Sequence, residues 1–510
     1  MLKFLLAGAS TVALVTAAAA VAAPGSNNST VGQTGTDGQV TVGQSGTNAV
    51  STVNQGGDDN RATVSQAGNS ASSTITQDDS SGSDDDNVAS VTQNGDSDST
   101  VSQISDNNGA TVEQNGDSHS STVEQRGSGS HSAFVDQSGD NNESNVEQGG
   151  FSNDSDVAQS GEGDTSLIEQ GGIGGSAIVV QGAEGVGQTS SIVQSGLASN
   201  ADVNQNGVAN SSTITQETLS GVNNARVSQT GDENSSNINQ TTLGGHDADV
   251  LQSGDRNVSF VEQSGVNNDS SGEPSDSTPT RVNGVIQSGD DNFSSVTQRG
   301  QNQEAFVNQS GDFNSASVDQ GIDSLSSNTR GRDQDATILQ AGDNNTANTV
   351  QRGRNQVAFI NQIGSNNRDN GATIDQGGNT GRDHFASIVQ GGSSNDSTVR
   401  QRGVNQDATV DQGGNSNIAT VDQGDANGVD HNVTITQSGN FNLADVKQTG
   451  TNQTAAVVQE GNDNDSFITQ GGSNNSASVG QYSNGNLSNV TQGGNANTAN
   501  VTQGTPGGGM

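Results

Sequence analysis

The chain has no cysteine and no tryptophan, and aromatic residues make up 2% of its 510 residues. Without cysteine there are no disulfides, no thiolate metal sites and no lipid-modified N-terminal cysteine. With hydrophobic residues at only 26%, an ordinary globular core cannot be assembled. Basic residues are scarce too: 16 Lys and Arg face 57 Asp and Glu, a formal net charge of −41. That sign repels phosphates and argues against nucleic acid as a partner. Proline occurs four times: Pro274, Pro279 and Pro506 lie outside regular strands, and Pro24 precedes the repeats. After the first residues no apolar run reaches the length of a membrane span. Low hydrophobicity with high net charge ordinarily specifies disorder. Here a strict period overrides that expectation, because repeated units can bury their faces on one another.

The first residues read as a targeting segment. Lys3 supplies a positive start, Phe4 to Ala20 is mostly apolar, and Ala20-Val21-Ala22 fits a small-x-small cleavage site. The expected division is a signal peptide at 1–22, a short mature segment at 23–28, a repeat array at 29–503 and a Gly-rich tail at 504–510. The expected localisation is secreted.

The array is marked by glutamine. From Gln33 to Gln503 there are forty such beats, and 28 of the 39 spacings are eleven residues. Two residues before the beat stands Val or Ile in 39 of 40 cases, with Thr349 the exception, so all forty are β-branched. A strand favours that choice and a helix would not enforce it. Four residues before the beat stands Ala or Ser in 37 of 40, the exceptions being Val40, Asn283 and Val433. In the unit Gln492 to Gln503, alternation places Asn497, Ala499, Val501 and Gln503 on one face and Thr498, Asn500 and Thr502 on the other. Gly494 falls where the backbone must turn. Each unit is thus one short strand and one tight turn. The predicted core of the last units is Val446, Val457, Ile468, Val479, Val490 and Val501.

One strand cannot close a core, so two are expected to face each other in a coil of about 22 residues. Forty strands then make about twenty coils of an all-β solenoid. Burying two branched residues per coil does not by itself offset the conformational entropy lost in ordering the whole coil. The remainder must come from hydrogen bonds between coils and from stacked Asn and Gln amides. Irregular spacings mark loop insertions near 78–88, 268–281 and 321–332, all expected in turns.

The pattern Gln-x-Gly-x-x-Asn-x-Ala-x-x-x-Gln, as in Gln492 through Gln503, resembles the curlin repeat of bacterial curli fibres. The resemblance covers nearly the whole mature chain. It implies a curlin-like β-solenoid that polymerises into functional amyloid, with fibre formation, cell adhesion and biofilm matrix as its function. It implies as partners further copies, other curlin-like subunits or a nucleator, and host or abiotic surfaces. Ladder roles carry over to Gln437, Asn442, Gln448, Gln459, Asn464, Gln470, Asn475, Gln481, Asn486, Gln492, Asn497 and Gln503. The array is longer than that of typical curlin subunits, its leader is shorter, and its amide before the strand is often displaced, as in Thr451-Asn452-Gln453.

Other chemistry finds less support. Recurrent turn pairs such as Gly254-Asp255 and Gly311-Asp312 could hold structural calcium. They do not follow the calcium nonapeptide, though, and backbone capping accounts for them, so no cofactor is expected. The five histidines, His119, His131, His246, His384 and His431, read as falling at unrelated phases, which leaves no catalytic or zinc constellation and no enzyme. Ten of the sixteen basic residues lie between Arg281 and Arg402, where they neutralise local repulsion. A monomeric secreted solenoid, acting as an adhesin or surface-layer protein, is the alternative reading. An ice-binding solenoid needs an unbroken outward threonine row. Here that row runs Thr436, Lys447, Val458, Thr469, Gly480, Thr491 and Thr502.

Overall fold

The computed structural model describes residues 14–17, 25–78, 86–183, 185–219, 221–266, 268–270, 284–321, 332–363, 369–424 and 428–505. Most of the expected leader, the insertion residues 79–85, 271–283 and 322–331, and the tail from residue 506 lie outside the described residues. The chain divides into two compact units, Met1–Gly244 and Gly245–Met510. Each is a parallel β-solenoid, and the chain makes about 19 turns of roughly 23 residues. The described residues include no helix, so none long and apolar enough to cross a membrane.

One coil of the first unit shows why the sequence folds this way. Glu143–Gln148 and Asp154–Gln159 are consecutive six-residue strands with strictly alternating burial. Glu143–Gln148 pairs in parallel with Ser120–Arg126 on one side and Thr165–Gln170 on the other, so Val146 lies between Val123 and Ile168. Asp154–Gln159 pairs instead with Ser132–Ser138 and Ser176–Gln181. Consecutive strands therefore belong to two different sheets, and two strands complete a coil. Val146 and Val157 have no exposed surface. A β-branched side chain fits this thin interior because its χ1 is already restricted, so little rotamer entropy is lost on stacking.

The small position sorts by sheet, which is not apparent when all beats are read together. In the first unit one sheet carries Ser51, Ser73, Ser99, Ser121, Ser144 and Ser166, all buried. The other carries Ala62, Ala89, Ala110, Ala133 and Ala177, also buried, with Ser155 between the last two as an exception. Most of the serines put a hydroxyl into a dry interior: Ser99, Ser121, Ser144 and Ser166 have no hydrogen-bond partner for Oγ.

At the corners, glycine is required by close approach. A Cβ on Gly172, built ideally, would stand 2.0 Å from the carbonyl oxygen of Gly196 in the next coil. The residue just before the amide position is left-handed, with φ of 58° at Asn107, 56° at Asp463 and 55° at Asn474. Asn and Asp tolerate that region best among non-glycine residues. Phe313 and Phe441 hold the same conformation at 59° and 58° with bulkier side chains.

In the second unit some corners are themselves β-paired. Phe293–Ser310 runs through a corner as one 18-residue strand and Thr346–Gln362 as one of 17. Gln301 there lies opposite Arg332, and Arg332 opposite Arg354. One insertion departs from the expectation that all lie in turns. Asp269 and Ser270 pair with Asp247 and Ala248, and Val285 and Ile286 pair with Val250 and Leu251. The chain leaves this strand in mid-course and rejoins it in register. Ser270, opposite Ala248, therefore takes the small position that spacing alone gave to Asn283.

Candidate functional site: the interior amide ladders

Each beat glutamine points inward at the end of its strand beside the branched residue two positions earlier, and all are buried except Gln33 and Gln503, which are half-buried. Its Nε2 has two hydrogens and meets two kinds of acceptor. One is Oε1 of the equivalent glutamine in the next coil; the other is a backbone carbonyl within the coil. Gln459 shows the full set: Nε2 donates to Gln481 Oε1 at 2.8 Å, to Leu443 O at 3.0 Å and to Asn464 O at 2.9 Å.

The structure places the glutamines of the last units in two columns. Gln437 donates to Gln459, Gln459 to Gln481 and Gln481 to Gln503, each at 2.8 Å. Gln448 donates to Gln470 at 2.9 Å and Gln470 to Gln492 at 2.8 Å. In the first unit one column descends from Gln33 through Gln55, Gln77 and Gln103. A second descends from Gln44 through Gln66, Gln93 and Gln114. An amide pair of this kind satisfies donors and acceptors that would otherwise be buried unpaired, which is where leaving one unmade is costly.

The asparagines act differently from a simple amide stack. Asn442 Oδ1 accepts the backbone N–H of Asn464 at 3.0 Å, and Asn464 Oδ1 that of Asn486 at 2.9 Å. Asn475 Oδ1 accepts the N–H of Asn497 at 3.0 Å, while its Nδ2 donates to Gly471 O at 2.7 Å. Asparagine thus stitches the corner backbone of one coil to the next. Of the core residues, Val446, Val457, Ile468 and Val479 are at most 1% exposed and Val490 is 6%. Val501, in the last strand, is half-buried.

The reading of the histidines needs correction. Counted back from the following beat, His119, His131, His246, His384 and His431 all stand six residues before Gln125, Gln137, Gln252, Gln390 and Gln437. That is the asparagine position, and all five are buried. Counting forward from the preceding beat hides this wherever the turn is lengthened. Gln453 occupies the same position, in register with His431, so the amide of Thr451-Asn452-Gln453 is not displaced.

His131 shows how an imidazole replaces the amide. Its Nδ1 accepts the N–H of Asn153 at 3.2 Å, so Nε2 must carry the proton that it donates to Arg126 O at 2.9 Å. His119 Nδ1 likewise accepts from Asn142 N at 3.3 Å, and His246 Nδ1 from Asn268 N at 3.4 Å. Burial disfavours the charged ring and holds His119 and His131 below the usual histidine value. His384, between Gln356 and Gln406 in its column, is pushed down to about 4 by the same desolvation.

The outer faces carry charge. Turn aspartates cap backbone: Asp290 Oδ1 accepts Asp255 N and Asp312 Oδ1 accepts Asp290 N, both at 2.9 Å. Arginine and aspartate alternate up one column, with Arg299 to Asp319 at 2.6 Å, Arg352 to Asp319 at 3.8 Å and Arg402 to Asp375 at 2.7 Å. These pairs are solvated and each contributes little alone. No group of three or more His, Asp or Glu among the described residues is placed to hold a metal ion.

The family model of the curlin-associated repeat matches the chain at residues 247–271, 287–321, 342–368 and 439–472. A comparison with curated proteins finds no match.

Proposed function

From a chain that belongs to the curlin-repeat family, we propose a structural subunit of extracellular curli-like amyloid fibres, serving cell adhesion and biofilm matrix. Growth proceeds by edge-to-edge β templating, in which the last coil of one subunit receives the first coil of the next.

The observation that carries this reading is the repetition of the glutamine columns, in which every coil offers the next the same Nε2 donor and Oε1 acceptor. Gln492 and Gln503 donate to Ser476 O and Leu487 O of their own coil. Among the described residues no further glutamine follows them, and the outer edges of Leu487–Gln492 and Thr498–Gln503 carry no paired strand. Gln33 and Gln44 begin the columns of the first unit as donors, so their Oε1 atoms suit an Nε2 from a preceding subunit. Within the expected leader, Leu14–Ala17 pairs with Gln39–Val42. Removing that leader on export would open the same edge for templating.

The test is assembly of the purified mature chain, followed by amyloid-dye binding, circular dichroism and electron microscopy. Fibres whose lag shortens on addition of sonicated fibre ends are expected. A chain that stays monomeric, dye-negative and strand-rich at all times would instead be a monomeric solenoid adhesin.

A further inference from the structure

We propose that one edge of the first unit, from Phe151 to Leu243, is a lateral docking surface for a second copy of this chain. The inference concerns side-by-side packing and holds whether or not the ends template growth.

Three residues after five successive beats of one sheet stand Phe151, Ile173, Leu197, Leu219 and Leu243. They are 44%, 50%, 42%, 82% and 49% exposed. Parallel bridges join Phe151 to Ile173 and Ile173 to Leu197. Ser195 pairs with Glu217 and Thr218 with Thr242, which carries the column on through Leu219 to Leu243. The five side chains therefore form a ridge with one tooth per coil, about 4.8 Å apart. Its backbone is fixed, with Ile173 N donating to Gly196 O at 2.8 Å and Ala198 N to Ile173 O at 2.7 Å.

The turn does not call for these residues. Turn positions favour Gly, Asn, Asp and Ser, and earlier in the same column the chain places Asp106 and Ser128. On the opposite edge the equivalent places hold Asp140, Glu162, Val186, Val208 and Asp232, with acids at three of the five and no side chain larger than valine among the apolar ones. Five large apolar side chains in a row at the solvent boundary are the signature of an interaction surface.

The occupant follows from period and charge. A second copy offers the same tooth spacing, so two ridges related by a two-fold axis can interdigitate along their whole length. At a net charge of −41 most faces of two copies repel each other. The ridge corners, Gly149-Gly150, Gly171-Gly172, Ser195-Gly196, Glu217-Thr218 and Thr241-Thr242, contain one charged residue among them, Glu217.

Because the chain lacks cysteine, single-cysteine reporters are unambiguous. Leu197→Cys and Asp232→Cys, each in the full mature chain, are oxidised mildly and run on non-reducing gels. A disulfide-linked dimer is expected as the main product for Leu197→Cys and as a trace for Asp232→Cys; equal yields would overturn the proposal. The double variant Ile173→Asp, Leu197→Asp should keep its strand circular dichroism and sediment as a single chain, or form filaments of half the width. If it instead sediments like the parent and loses only adsorption to apolar beads, the ridge serves a surface and not a second copy, and the proposal fails.

Discussion

Replacing His384 by glutamine should remove a defined part of the acid sensitivity of the second unit. Gln356 and Gln406 occupy the same position in the coils on either side, so glutamine fits the column. The neutral ring belongs to the folded state, where His384 sits at about 4, while an unfolded chain takes up the proton near 6.5. Between those values the unfolded state binds more protons. The contribution of the site is therefore complete above pH 6.5 and is lost as pH falls toward 4. Linkage over that shift gives a loss of about 1 kcal/mol between pH 7.5 and 5.5, approaching about 3 kcal/mol well below pH 4. The upper pair of values is the better one to use, because the sequence pI is about 4.1 and solubility falls near it. Other groups move with pH as well. Burial raises the carboxyls of Asp156, Asp164 and Asp445, which favours the folded state as pH falls. Only the difference between parent and variant isolates the imidazole. The assay is urea unfolding of both chains, followed by circular dichroism at pH 7.5 and 5.5, with hydrogen exchange localising the loss to strands near residue 384. Parallel pH shifts in parent and His384→Gln would refute the reasoning, because the buried neutral ring would then have no thermodynamic consequence.

Four further outcomes are expected. Val479→Asp places a carboxylate in the dry interior and should cost several kcal/mol, whereas exposed Ser478→Asp should stay within about 0.5 kcal/mol, both read by urea unfolding. Gln459→Ala leaves the amides of Gln437 and Gln481 without one partner each, which should cost about 1–3 kcal/mol and raise exchange in the adjacent strands. Ser144→Ala removes a buried hydroxyl that has no partner, so stability should be unchanged or rise by about 0.5–1 kcal/mol in the same assay. Phe441→Asn replaces a bulky left-handed residue with one that tolerates that conformation, and the thermal midpoint should rise by an amount equivalent to about 1 kcal/mol.

Much of the architecture can be read directly from spacing. A β-branched residue two places before each glutamine allows only a strand, and eleven residues allow only a strand and a turn, so a two-strand coil follows. What could not be read depends on which residues become neighbours across coils. The serine and alanine columns separate only when odd and even beats are treated as different sheets. The ridge from Phe151 to Leu243 is invisible along the chain, because its members are 22 to 24 residues apart. The histidines were hidden by the choice of origin, since strand ends fix the phase and turn lengths do not. The break after Ser270 did leave a trace: Asn268-Asp269-Ser270 has the Asn-x-small opening of a strand, and only the register shows that Val285 completes it.

That broken strand bears on what the fold can carry. Its two pieces, Asp269–Ser270 and Val285–Ser288, are each held in line by pairing with the strands before and after them. A rung of this solenoid therefore does not need an unbroken covalent thread to keep its place. Foreign sequence spliced between Ser270 and Gly284 is expected to leave both pieces paired in register with their neighbours. In a filament, each subunit would then display its cargo from the flank at a fixed axial interval, which makes this position a natural graft point for enzymes, epitopes or ligands on a self-assembling scaffold.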